Sequence, residues 1–153
     1  MSKYRLRDLY NQRNRNQLKD KLQSETFKRV TLSFYKYVKI VDLEDFRHDL
    51  YIKLTNIHVL GRIYIANEGI NAQLSLPSKN INILKEILYS YTEFPDIHFK
   101  VAIQDSHDSF FKLIIKIKDQ IVADGLKSKE FDINKTGKHI NAKEFNKKIA
   151  DPD

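Results

Sequence analysis

The sequence predicts an α+β fold of the ferredoxin-like (acylphosphatase-like) kind, a split βαβ sandwich with an antiparallel sheet and two helices on one face. Three observations predict it. Four short segments alternate apolar and polar residues, two segments carry apolar residues at helical spacing, and their order is β-α-β-β-α-β. The 153 residues, 41% hydrophobic, suffice for one such core with extensions.

The first strand runs from Val30 to Tyr37, with Val30, Leu32 and Phe34 facing one way and Thr31, Ser33, Tyr35 and Tyr37 the other. Asp42 is placed as an N-cap, and Glu44 and Asp45 complement the dipole of the helix that follows. Leu43, Phe46, Leu50, Leu54 and Ile57 give that helix, over 43–57, one apolar stripe. Next come two strands joined at Asn67-Glu68-Gly69. Gly61, Ile63 and Ile65 alternate with Arg62, Tyr64 and Ala66, and Ile70, Ala72 and Leu74 with Asn71, Gln73 and Ser75. Gly69 supplies the positive φ that so short a hairpin demands. Pro77 and Ser78 open a second helix, striped by Ile81, Leu84, Ile87, Leu88 and Tyr91. Beyond Pro95, His98 to Ile103 forms the fourth strand.

The core therefore spans 29–104. Residues 105–125 read as an additional β-hairpin, with Phe111, Leu113, Ile115 and Ile117 alternating with Lys112, Ile114, Lys116 and Lys118, a turn at Asp119-Gln120, and a return arm at Ile121-Val122-Ala123. Residues 126–153 read as a linker and a short helix capped by Asn141. The final Asp151-Pro152-Asp153 reads as the approach to a further domain. Residues 1–28 form a basic extension, helical or partly disordered and outside the core. Of the net charge of +7, the first 29 residues contribute +6, from nine Lys/Arg against three acids. Such an arm suits a polyanion, and equally suits a solvated tail.

Composition excludes several chemistries. Without cysteine there is no disulfide, thiolate metal site or cysteine nucleophile in this chain. The five histidines show no HxH or HxxxH spacing, so neither a metal nor a cofactor is expected here. No apolar run approaches a membrane span, so no membrane partner is expected and a soluble, cytoplasmic location is. Four glycines leave no phosphate-binding loop. An acylphosphatase-type active site fails as well, because the loop Lys39-Ile40-Val41-Asp42 holds neither glycine nor arginine. No catalytic residue is assigned. Glu68 is the one candidate for acid–base work, against a structural role in hydrogen bonds to backbone N–H groups.

In this fold one sheet face stays open unless something docks on it. Tyr35, Tyr37, Arg62, Tyr64, Asn71 and Gln73 fall there. Tyrosines with an arginine suit stacked bases or a partner domain. Ordinary cross-strand pairing on a solvated face is the plainer alternative.

Ser33-Phe34-Tyr35-Lys36-Tyr37, together with the run from Leu60-Gly61-Arg62 to Asn71-Ala72-Gln73, resembles the N-terminal domain of the bacterial tRNA uridine 5-hydroxylase family. These are rhodanese-domain proteins that use oxygen to hydroxylate the wobble uridine of tRNA. Thr136-Gly137-Lys138-His139-Ile140-Asn141-Ala142, with Glu144-Phe145-Asn146 and Asp151-Pro152-Asp153, is similar to the segment leading into that rhodanese domain. Ile121-Val122-Ala123-Asp124-Gly125 fits between them, so the resemblance covers about residues 30–153. It implies a tRNA-modifying oxidoreductase whose cysteine-bearing rhodanese domain lies outside this chain. It also implies two partners, tRNA and the rhodanese domain. The residues expected to meet one or the other are Tyr35, Tyr37, Arg62, Tyr64, Asn71, Gln73 and the Asn67-Glu68-Gly69 turn, with Lys112 and Lys116 for phosphate.

Overall fold

Two glycines fix the central hairpin. In the computed structural model, which describes residues 13–102, 110–122, 137–138 and 140–150, Gly61 and Gly69 have φ of +141° and +150°. A β-carbon at Gly69 would lie 2.1 Å from the Lys36 carbonyl oxygen, and one at Gly61 2.2 Å from that of Gln73. Only glycine fits where the neighbouring strand approaches so closely.

Around this hairpin the elements follow the expected order. Helix α1 (Arg15–Gln23) precedes β1 (Arg29–Tyr37), α2 (Leu43–Asn56), β2 (Leu60–Ala66) and β3 (Gly69–Pro77). A 3₁₀ turn at Ser78–Asn80 leads into α3 (Ile81–Tyr89), followed by β4 (Lys100–Val101), β5 (Leu113–Ile117) and α4 (Ala142–Ile149). The strand order is β4-β1-β3-β2-β5. The first four strands form the antiparallel ferredoxin-like sheet. Asp42 caps α2 through its Oδ1, which accepts from the Asp45 N–H at 3.1 Å. Asn141 caps α4 reciprocally with Glu144.

Leu50 and Leu54 of α2 and Leu84 and Leu88 of α3 pack with Leu32, Phe34, Ile63, Ile65, Ala72 and Leu74 from one face of the sheet. All ten are essentially buried. Each large side chain so removed from water contributes about 1.5–3 kcal/mol. Phe46, Tyr91 and Phe94 close one end of the layer, with ring centroids 5.0–6.1 Å apart. Tyr91 also donates its hydroxyl to Asp49 (2.6 Å), which Lys53 pairs at 2.6 Å. Partial burial pushes the Asp49 carboxyl up, but the hydrogen bonds from Lys53 and Tyr91 and the Lys53 charge together hold it below its ordinary value. Burial, then the Asp49 hydrogen bond and charge, push the Tyr91 hydroxyl far up.

Three expectations are corrected. First, the segment after the core is not a hairpin among the described residues. β5 pairs parallel to β2, in register from Gly61↔Leu113 to Ile65↔Ile117, so the five-stranded sheet is mixed. Ile121 and Val122 are not a returning strand. The backbone N–H and C=O of Ile121 are taken by the side chains of Glu68 and Asn71 instead of by a ladder. Second, β4 is only two residues long, because it meets β1 at Leu32 and Ser33 alone. Phe99 still points inward, edge-on to Phe34 at 5.3 Å. Ile103 lies outside the described residues.

Third, part of the N-terminal extension belongs to the folded unit. Asn14 and Gln17 form a capping box at the start of α1, and Leu18 is buried. Arg29 is 3% exposed. Its guanidinium holds Glu25 bidentately (2.6 and 2.8 Å) and donates to the carbonyls of His58 (2.9 Å) and Ser75 (3.1 Å). A charge counted with the basic arm is therefore a buried strut joining that arm to the sheet. Residues 1–12 lie outside the described residues.

Candidate nucleic-acid interface

The strand registers assemble the face opposite the helices row by row. One row runs Lys100, Ser33, Gln73, Arg62, Ile114, and the next Tyr35, Asn71, Tyr64, Lys116. Arg62, Gln73, Lys100 and Lys116 are exposed, and Tyr64 and Asn71 half-buried. Tyr35 is 44% exposed and meets Tyr37 edge-on at 6.3 Å. Lys118 Nζ stands 5.6 Å from the centre of the Tyr64 ring. Lys112, level with Leu60, is exposed at the foot of β5. Neither row contains an acidic residue.

The hairpin turn divides from this set by what it binds. Asn67 ties itself to the loop after β1: its Nδ2 donates to the Ile40 carbonyl at 3.0 Å, and its own carbonyl accepts from the Ile40 N–H at 3.0 Å. The Glu68 carbonyl accepts from the Val38 N–H. The Glu68 carboxylate accepts from the Ile121 N–H at 2.7 Å, while Asn71 Nδ2 donates to the Ile121 carbonyl at 3.1 Å. Ile121 is thereby drawn onto the turn end of the face and is 3% exposed. Gly69 serves the close approach of β1. Among the nominated residues, then, Asn67, Glu68, Gly69 and Asn71 make bonds or contacts that hold the chain together. Tyr35, Arg62, Gln73, Lys112 and Lys116 present themselves to solvent.

The face is also less open than the topology alone implies. Phe110 lies over its other end. It borders a hollow of about 280 Å³ with Thr31, Ser33, Gln73 and Lys100, and a second of about 300 Å³ with Gly61, Arg62, Phe111, Lys112 and Ile114. Arg13 and Arg15 of the N-terminal segment complete the second. The Arg15 guanidinium stands 5.8 Å from the centre of the Phe111 ring.

Sequence reasoning missed Lys100, Phe110, Arg13 and Arg15 as neighbours of this face. The parity of Lys100 with Ser33 would have placed it, given the β1–β4 register. The other three arrive through long-range packing that no local pattern encodes.

Among the described residues no three His, Asp or Glu side chains converge as a metal site would need. His48 is buried, its Nδ1 2.8 Å from the Glu44 carbonyl oxygen, and serves α2. No helix among the described residues is long and apolar enough to cross a membrane.

Comparison with known proteins agrees with this architecture. Over 145 residues the chain is 47% identical to a protein of Leptospira interrogans named tRNA uridine(34) hydroxylase, covering 95% of this chain and 40% of that one. Proteins of the same name from Photorhabdus laumondii and Escherichia coli are 42% and 39% identical over 146 residues, again 95% of this chain and 42% of theirs. The chain thus spans about two-fifths of the length of these relatives. Residues 29–121, from the buried Arg29 to the clamped Ile121, match the UPF0176 acylphosphatase-like domain, and the chain belongs to that family.

Proposed function

We propose that this chain is the RNA-binding part of a tRNA-modifying enzyme, and that it holds tRNA on the sheet face opposite its helices. The observation that carries the reading is the composition of that face. Arg62, Lys100, Lys112, Lys116 and Lys118 stand among Tyr35, Tyr37 and Tyr64, and the strand rows hold no acid. Cations neutralise phosphates and release counterions, and tyrosine rings offer stacking surfaces to unpaired bases. The relatives' name supplies the class of RNA, and oxidative modification of a uridine is the activity of the whole enzyme to which this part would contribute. No step of that chemistry is assigned to these residues. Glu68 accepts from the Ile121 N–H, a bond that supports a structural role.

A second reading rests on a different surface. Helix α4 exposes Phe145 (54%) and Ile149 (68%) on one stripe. These side chains fit a docking role against the remainder of the enzyme, the rhodanese domain of the family resemblance.

The test is tRNA binding followed by mobility shift, comparing this chain with an Arg62→Glu/Lys116→Glu double variant. Both positions are exposed, so the fold is expected to survive. The reading expects binding by the parent and at least a tenfold loss in the variant, because two attractive contacts become repulsive. Equal binding by both would remove the sheet face from RNA recognition. No binding by the parent would leave docking as the purpose of the domain.

A further inference from the structure

The two hollows beside Phe110 have a common design. Each is about the size of the smallest ligand pockets, roughly 300 Å³. Both are open to solvent, and Phe110 lines both. Lys100 borders one, and Arg15, Arg62 and Lys112 border the other. Among the described residues no acidic side chain lines either. Both linings are mixed: Thr31, Ser33 and Gln73 stand beside Leu32, Val101 and Ala102 in the first, and Phe111, Ile114 and Leu18 stand beside the cations in the second.

We infer that Phe110 is a wedge between two consecutive unpaired nucleotides of bound RNA. One base enters each hollow, and the phosphate near the wedge meets Arg62, Arg15 and Lys112. This deepens the RNA-binding reading and rests on it. A hollow of this size admits a single unpaired nucleotide and excludes a duplex, whose bases are already stacked and whose diameter is far larger. A phenylalanine presented between two such spaces is an aromatic platform for bases, and base–aromatic stacking tolerates any base identity. The cations gather on the side of α1, which assigns that helix a purpose. Arg15 at its first position, with Arg13 just before its cap, lines the second hollow, and the helix is held there by the burial of Leu18 and by the Arg29–Glu25 strut.

The experiment measures binding of a fluorescent pentauridylate and, in parallel, of tRNA. The proteins are this chain, Phe110→Ala, the pair Arg15→Glu/Lys112→Glu, and Lys116→Glu, which lies away from both hollows. Far-UV circular dichroism confirms that each variant is folded. Pentauridylate binding is expected to weaken on the order of tenfold in Phe110→Ala, the loss of a stacking platform, and at least as much in the charge-reversed pair. A blunt RNA duplex is expected to show no dependence on Phe110. Pentauridylate binding unchanged by both groove variants would overturn the inference. If tRNA binding meanwhile fell in Lys116→Glu, the broader reading would stand without it. Uridine monophosphate binding as tightly as the pentamer would also overturn it, because the site would then be one for a free nucleotide. Absence of binding to either RNA by the parent chain would overturn both readings together.

Discussion

Glu68 shows how a side chain that invites a catalytic reading in a sequence can hold a structural bond in the fold. A carboxylate at the tip of a tight turn, flanked by asparagines, is where acid–base chemistry would be sought. Its partner is the Ile121 N–H, 53 residues away along the chain. Glu68→Ala leaves that half-buried donor without an acceptor and is expected to cost about 1–3 kcal/mol, read as a lower urea midpoint. Glu68→Gln keeps an oxygen in place and is expected to recover most of the loss. Unchanged stability in Glu68→Ala would show that the clamp is not formed. Arg29 is the second such case. Its Ala variant strands Glu25 and the carbonyls of His58 and Ser75, a loss of about 3–5 kcal/mol in the same assay. Lysine would restore little, since an ammonium cannot span the fork that the guanidinium fills. For Glu68 a structural bond to a backbone N–H was legible beforehand and its partner was not; for Arg29 neither was. The residue types were visible, but the partners of Glu68 and two of those of Arg29 are distant in sequence.

The elements were easier to read. Asp42 before a stripe of Leu43, Phe46, Leu50 and Leu54 locates α2 because the cap and the period point to one boundary. The strands of the hairpin are legible because each buries one face. β5 misled because alternation reports that a segment is a strand and not which neighbour it joins. An alternating run followed by Asp119-Gln120 imitates a hairpin, yet its partner is β2 in parallel. α1 misled for the opposite reason. Its polar sequence hides one buried side chain, Leu18. Leu18→Ala is expected to cost about 2–4 kcal/mol in thermal or urea unfolding if α1 is part of the cooperative unit. A variant indistinguishable from the parent would return the helix to the status of a tail.

The tie between α2 and the end of α3 carries a pH dependence. The Asp49 carboxyl titrates lower in the folded chain than in the unfolded one. Its contribution is therefore present above the ordinary carboxylate value of about 4 and disappears as pH falls through the lower, folded value. Asp49→Asn is expected to be less stable than the parent at pH 7, with the gap closing toward pH 3. For Tyr91, raised in the folded chain, the sign is reversed: stability is full below about pH 10 and declines above it, and Tyr91→Phe should lose that alkaline decline. A gap for Asp49→Asn that stayed constant from pH 7 to pH 3 would contradict the assignment.

For the molecule as a whole, the division of labour follows from the layers. Helices α2 and α3 cover one sheet face and make the core, which leaves the other face to act outward. Phe110 and Ile121 lie against that face and so narrow an open sheet into a lined surface. The sequence alone placed the tyrosines and Arg62 there through the period of the strands. It was silent on the coverage, because loops that cross a sheet carry no period of their own. Phosphate contacts from several cations at once are expected of this face. The most direct test is therefore a salt titration of tRNA binding by this chain. The predicted result is a linear fall of log K with log salt, steeper than about −2, as three or more phosphate contacts require, and a slope made shallower by Lys116→Ala. Binding that is absent, or that ignores salt, would contradict the claim that this face holds RNA.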